Sequence, residues 1–287
     1  MKNRPKRSRD FWPKLLHDAA DIVNRRGETT LRQLHYLLAS ADNEYRNVYT
    51  DYDQLSKRTA QGRRELWFPS LTDYTRSIYQ RGGVNSVSDA LLDAAHGYKR
   101  DYRDGQPTEV WIVVEKAALL GMAAEWSQPY GIPYVALGGY GSQTIMDDIV
   151  SSVGDEAVVL YIGDFDPSGV DIQRDFTDKT GQVWSDIIHI AVTSEQVTEY
   201  NLPPAPGKTG DSRAASFIAE HGSLFQVEAE AFEVFHPTVL AELVTAAIEE
   251  HTDMAQLRQV QHDEIGERES IIEFVDSFNE TPEETDE

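Results

Sequence analysis

The chain has 287 residues, a net charge of −23 and no cysteine, which excludes disulfides, thiol catalysis and thiolate metal sites. Its 40% apolar content is enough for two globular domains of ordinary size. No apolar run approaches the roughly eighteen residues of a membrane-spanning helix, and the first residues, rich in Lys and Arg, lack the apolar block of a signal peptide; no membrane association and a cytoplasmic location are expected.

The charge is unevenly divided. Residues 1–107 carry 19 Lys and Arg against 14 Asp and Glu, a balance of +5, whereas residues 108–287 carry 7 against 35, a balance of −28. Residues 1–9 read as a basic disordered arm, and 10–105 as a helical unit with three helices. The first, 11–26, has apolar spacing at Phe11, Leu15, Ala19 and Ile22 and ends on Arg25, Arg26 and Gly27, cations then glycine, as helix ends prefer. Thr29 and Thr30 offer a cap for the second, 31–39, in which Leu31, Leu34 and Leu38 make one stripe while Arg32 and Tyr36, four apart, lie together beside it. The third begins at Tyr45 or Val48 and runs to Ala60, with Lys57, Arg58, Arg63 and Arg64 clustered at its end. Three helices and a basic cluster predict a helix-turn-helix, with 67–83 as its wing and the third helix in the DNA major groove, its arginines on phosphates; a basic cluster is equally at home as a solvated face.

From residue 106 the grammar changes to strands alternating with helices, which predicts right-handed crossovers and a mainly parallel sheet. The strands are 110–114, 133–137, 157–162 and 187–192, with helices over 117–126, from the glycine-rich turn 138–142 to about residue 153, and after Pro167, where Ser168 is the expected cap. Glu115 follows the first of these strands. Asp164 and Asp166 follow the third, two apart, so both face one way in an extended segment while Phe165 turns away to pack. Ligands of such sheets bind beyond the carboxyl ends of the strands, where these three acids converge. Three hard oxygen donors suit Mg2+ or Mn2+ rather than zinc; the other reading is of strand-end acids that cap helices.

The order of a strand ending in Glu115, a glycine-rich turn and then Gly163-Asp164-Phe165-Asp166-Pro167-Ser168-Gly169 resembles the Toprim pattern of topoisomerases, primases and some nucleases. Extended through Val170-Asp171-Ile172, it is most similar to the A subunit of topoisomerase VI and its relative, the meiotic double-strand-break transesterase. Arg32-Gln33-Leu34-His35-Tyr36 is similar to the Arg-Asp-Ile-Tyr-Tyr signature of that family's winged-helix domain, whose second tyrosine attacks the DNA phosphodiester. Arg32 matches the arginine and Tyr36 the nucleophile, while Gln33 and His35 depart from the signature. Tyr79, in a second Arg-x-x-Tyr spacing, is the rival nucleophile. The resemblance covers roughly residues 10–235, and the chain is similar to minimal, stand-alone relatives found in archaea and their mobile elements.

What the resemblance implies is an α/β protein with a winged-helix domain over 10–105 and a Toprim domain with closing helices over 106–278, followed by an acidic disordered tail, 279–287. It implies a type IIB topoisomerase-like transesterase that cleaves double-stranded DNA, with Tyr36 forming a 5′-phosphotyrosyl link, Arg32 and Glu115 assisting, and Mg2+ or Mn2+ held by Glu115, Asp164 and Asp166. It also implies a homodimer in which Tyr36 meets Glu115 across the two copies, and a separate ATPase chain for any strand passage. A water-using Mg2+-dependent Toprim nuclease and a non-catalytic winged-helix regulator are the alternatives. Lys208 and Arg213, rare cations in an acidic region, face phosphate or pair with neighbouring acids, and Glu228 and Glu230 lie in a segment similar to one late in Toprim domains, with no role carried over.

Only 8 of the 26 basic residues are Lys, and the acidic surplus is similar to that of proteins from salt-loving organisms, whose surfaces stay soluble through excess carboxylate. Thermal melts should therefore rise as KCl approaches molar concentrations, because screening relieves self-repulsion; a melting temperature that is flat or falls with KCl contradicts a halophilic surface.

Overall fold

The computed structural model describes residues 7–41, 44–73, 82–154 and 156–280. Helix α1 (Phe11–Arg26) buries Leu15, Leu16, Ala19 and Val23, a face turned slightly from the expected stripe, and stops at Gly27 with φ of 82°. Helix α2 (Leu31–Ser40) starts from a complete capping box: the Thr30 hydroxyl accepts from the Gln33 amide at 3.1 Å while the Gln33 side chain accepts from the Thr30 amide at 2.9 Å. Helix α3 (Tyr49–Arg64) completes a core of Leu15, Leu34, Leu38, Leu55 and Phe68. Arg7 reaches back from the arm to the buried carboxylate of Asp51, so the arm is anchored at Arg7. Residues 74–81, which include Tyr79 and the middle of the expected wing, lie outside the described residues, as do residues 1–6 of the arm. Helix α4 (Val87–Gly97), capped by the Ser86 hydroxyl, was not foreseen, although Val87, Ala90, Leu91, Ala94 and Ala95 recur at helical spacing; of these only Ala95 is buried.

The second half is α/β. Strands β1 (Glu109–Val114), β2 (Tyr134–Ala136), β3 (Ala157–Ile162) and β4 (Trp184–Ala191) form one parallel sheet in the order β2-β1-β3-β4. All six residues of β3 are buried, as its unbroken apolar run requires of a central parallel strand. Helices flank both faces. Leu119, Ala123, Phe217, Phe232, Leu240 and Val244 pack against one, and Met146, Ile149, Ile172 and Phe176 against the other. These come from α5 (Leu120–Ser127) with a 3-10 turn before it, α9 (Ala214–His221), α10 (Ala229–Phe235) and α11 (Pro237–Glu250) on the first face. The second face is covered by α6 (Gln143–Ser152) and α7 (Pro167–Thr180). A short helix, α8 (Ser194–Glu199), and a two-stranded ribbon of β5 (Ala205–Pro206) and β6 (Phe225–Gln226) complete the loop region.

From β1 the chain moves out to β2 and then returns across β1 to β3, so the strand order reverses between β1 and β3. That reversal opens a crevice at the carboxyl ends of these two strands. The Glu115 amide bonds to the Ile162 carbonyl at 2.9 Å, which sets Glu115 level with Gly163 and Asp164. The closing helix α12 (Met254–Glu280) packs against α4 and clasps the segment before β1, where the Arg100 amide donates to Glu264 at 2.9 Å and the Arg268 guanidinium to the Tyr98 carbonyl at 3.1 Å. It continues to Glu280, past the expected end at 278; residues 281–287 lie outside the described residues. Among the described residues no helix is long and apolar enough to cross a membrane.

The entry to α7 is a tight approach. A Cβ at Gly169 would collide with the Asp164 carbonyl oxygen, whereas one at Gly181, past the end of the same helix, meets its nearest atom at 3.7 Å. Gly169→Ala should therefore destabilise the chain by about 1–3 kcal/mol in urea unfolding, while Gly181→Ala is neutral or stabilising by about 0.4–1 kcal/mol. Equal effects of the two substitutions would contradict the close packing of α7 on the acidic turn.

Candidate functional site

Phe165 is the hinge of the site. Its ring is buried against Phe217, His221 and Phe225, as its place between two acids predicts, and its backbone pairs with Val227 through bonds of 2.8 and 3.0 Å. This bridge brings Glu228 and Ala229 beside the end of β3, where the Ala229 amide donates to Asp164 Oδ1 at 3.0 Å. The Asp164 amide in turn donates to Glu115 Oε2 at 2.9 Å. Asp166, not Ser168, caps α7: its Oδ1 accepts from the Ser168 amide at 2.8 Å, the Ser168 hydroxyl at 2.7 Å and the Gly169 amide at 2.7 Å. A carboxylate accepts the helix's free amides more strongly than a hydroxyl does, and the expectation of a serine cap is corrected accordingly.

Helix α2 docks on α10. The Tyr36 ring lies off the helical core, as its position beside the leucine stripe suggests, but it is not exposed: only 3% accessible, it packs against Ala231 and Val234. Its hydroxyl donates to Glu228 Oε2 at 2.5 Å. The Arg32 guanidinium bonds the same Oε2, and its Nε lies 3.3 Å from Glu230 Oε2. Lys116 pairs with Asp164 and approaches Glu228 Oε2 at 3.6 Å. Arg32, Tyr36, Glu115, Lys116, Asp164, Asp166, Lys208 and Glu228 all line one cavity of about 730 Å3. Tyr36 and Glu115 thus line the same cavity of a single chain.

The electrostatics follow from burial. Burial and then the charge of Asp164 push Glu115 up to about 7, and burial also raises Asp164. Burial and the neighbouring Glu228 carry the Tyr36 phenol well above its ordinary range, so it holds its proton until something takes it. Burial works against ionisation of Glu228 too, but there Lys116 and Arg32 outweigh it and bring the carboxyl down to about 2. His35, at a departure from the family signature, is buried between the Tyr45 hydroxyl at 2.7 Å and Asn47 at 3.0 Å, and burial lowers its basicity. It is a neutral support for the ring of Tyr36, 5.3 Å away.

The basic residues named from sequence separate. Lys208 is exposed at the cavity wall. Arg213 is engaged by Asp211 at 2.8 Å, Asp171 at 3.1 Å and the Tyr140 hydroxyl, so of its two readings the structure places it among acids. Lys57 pairs with Asp53 at 2.8 Å and Arg58 stacks 4.8 Å over Trp12, while Arg63 faces a second cavity and Arg64 is exposed. Helix α3 enters the main cavity with Tyr49 and Tyr52, and at ~1.5 Å per residue its basic end lies roughly 12–22 Å farther along. Lys116 and Glu228 carried no role in the sequence reading. The signal for the first was adjacency to a strand-end acid; the second was noted only as part of an acidic segment with no role attached, because the Phe165–Val227 bridge that brings it to the crevice is a long-range contact.

Glu115, Asp164 and Asp166 are the donor set expected for Mg2+ or Mn2+; burial raises Glu115 and Asp164, and a divalent cation would favour their ionised forms. Among the described residues no three carboxylates or histidines are gathered as a finished cage; Lys116 occupies Asp164 and Asp166 caps α7, so an ion would need Lys116 to turn away. No protein-family model matches the chain, and no curated protein matches it in sequence.

Glu230 gives the site a pH signature. Its side chain is 3% accessible, and burial pushes it up from 4.5 to about 7. The folded chain therefore holds this proton more tightly than the unfolded one, a contribution fully present below about pH 4.5 and lost as pH rises through about 7, of up to about 3 kcal/mol. Glu230→Gln should stabilise the chain at pH 8 relative to wild type by more than at pH 5; parallel pH–melting curves for the two proteins would contradict it.

Proposed function

We propose that the chain is a DNA-cleaving transesterase of topoisomerase VI A type, with Tyr36 as nucleophile and double-stranded DNA as substrate. The observation that carries this reading is the Tyr36 hydroxyl, held in one cavity with Arg32, Lys116, Glu115 and Asp164. In this reading α1 to α3 are the helices of a winged-helix domain and the parallel sheet is that of a Toprim domain. DNA lies along the mouth of the cavity, with Lys208 and the exposed cations of α3 neutralising phosphates.

Attack on phosphorus needs a nucleophile that can lose its proton and positive charge on the phosphate oxygens. Arg32, four residues before Tyr36 on the same face of α2, supplies that charge beside the phenol, and Lys116 supplies it from the sheet side. Glu115, Asp164 and Asp166 would hold Mg2+ or Mn2+, whose contribution when bound is to polarise the phosphate and stabilise the leaving oxygen. Each chain contributes Tyr36 and acids to its own cavity, so a homodimer would cut two strands with two self-contained centres, and an ATP-driven strand-passage cycle would require a second chain.

Tyr36→Phe removes only the attacking oxygen and should lower cleavage and the covalent protein–DNA adduct by roughly a thousandfold or more, read by denaturing electrophoresis of end-labelled duplex before and after protease. Free 5′-phosphates produced equally well by Tyr36→Phe would instead assign a water-using nuclease, and unchanged binding with no cleavage by wild type a regulator. An equimolar mixture of Tyr36→Phe and Glu115→Gln chains should stay inactive; recovered cleavage would mean that the tyrosine of one copy serves the acids of another.

A further inference from the structure

Glu228 is the point at which both halves of the chain meet the proposed nucleophile. A single oxygen, Oε2, accepts the Tyr36 hydroxyl at 2.5 Å, bonds the Arg32 guanidinium and faces Lys116 Nζ at 3.6 Å. Both cations line the cavity that Tyr36 lines, and a phosphodiester entering it to meet the tyrosine would be drawn to them. Carboxylate and phosphodiester therefore compete for the same positive charge, and both cannot hold it at full strength.

We propose that Glu228 accepts the phenolic proton of Tyr36 and that the substrate itself releases it for this task, because a phosphodiester that draws Arg32 and Lys116 onto its oxygens removes the two charges now neutralising the carboxylate. This rests on the transesterase reading. In the step, the bond from Tyr36 Oη to phosphorus forms and the phosphorus–O3′ bond breaks. The phenolic proton passes to Glu228 Oε2, and the departing O3′ oxygen takes a proton from water. In the chain without DNA, burial disfavours the ionised carboxylate and the two cations overrule it; once they are engaged by phosphate, burial is left unopposed and the carboxylate becomes a stronger base. The same arrangement keeps the tyrosine inert without DNA, since its proton faces a carboxylate already satisfied by two cations. Glu230 Oε2 lies 3.3 Å from Arg32 Nε, whereas Glu228 engages a terminal nitrogen, so the terminal nitrogens can turn to phosphate without separating Arg32 from Glu230.

Glu228→Gln keeps the size of the side chain and an oxygen for the Tyr36 hydroxyl, but it neither takes a proton nor competes for the cations. Fluorescence anisotropy with a labelled duplex oligonucleotide at low salt should show binding several-fold tighter than wild type, while single-turnover adduct formation falls about a hundredfold or more. Glu228→Asp, which retains an acid, should recover part of the rate, and thermal melts confirm that both variants are folded. Cleavage by Glu228→Gln within threefold of wild type, with Tyr36→Phe inactive, overturns the role of Glu228 and leaves the transesterase reading intact; cleavage by Tyr36→Phe overturns that reading. The binding measurement decides independently of cleavage: affinity unchanged or weakened in Glu228→Gln rules out competition between this carboxylate and the phosphate.

Discussion

Four carboxylates, three of them buried and Glu228 partly so, stand around two cations at the seam between the halves of this chain. Glu115, Asp164, Glu228 and Glu230 are each largely withdrawn from water, and Lys116 and Arg32 are the charges that stand among them. Uncompensated charge in such a place is costly, so neither half is electrostatically self-sufficient. Arg32 comes from α2 and Lys116 from the end of β1. The docking of α2 on α10 is thus fixed by charge as much as by the apolar contacts of Tyr36, Ala231 and Val234. Burial above all raises Glu115 and Asp164, with the charge of Asp164 adding to it at Glu115 and that of Glu228 at Asp164, where Lys116 works the other way.

The parts of this arrangement that depend on local pattern could be read in the sequence. Apolar runs ending in an acid became β1 and β3, and the turn after Gly163 placed Phe165 inward because alternate residues of an extended chain face opposite ways. Helix α2 was legible from Thr30 and the leucine stripe. The parts that depend on long-range contact were not legible. Nothing in Gln226-Val227-Glu228 announces that a two-residue bridge will set it beside Asp164, and Lys116 reads as an ordinary first-turn lysine until Asp164 and Glu228 appear on either side of it. Ser168 looked the better cap because serine is a common one; Asp166 displaced it because its carboxylate already faced three donors.

The position of α12 has a consequence for how the molecule comes into being. The segment before β1 is held by residues far along the chain, with 164 positions between Arg100 and Glu264 and 170 between Tyr98 and Arg268. Closing so long a loop carries an entropic cost that local helices do not, and during synthesis the partner residues leave the ribosome late. The three N-terminal helices and the sheet can each condense on their own neighbours well before that moment, but the clasp that ties the connecting segment down cannot. A nascent chain would thus close the seam that joins Tyr36 to Glu228 when α10 is delivered and tie down the connecting segment only when α12 follows, so the order of translation builds the cavity before its clasp.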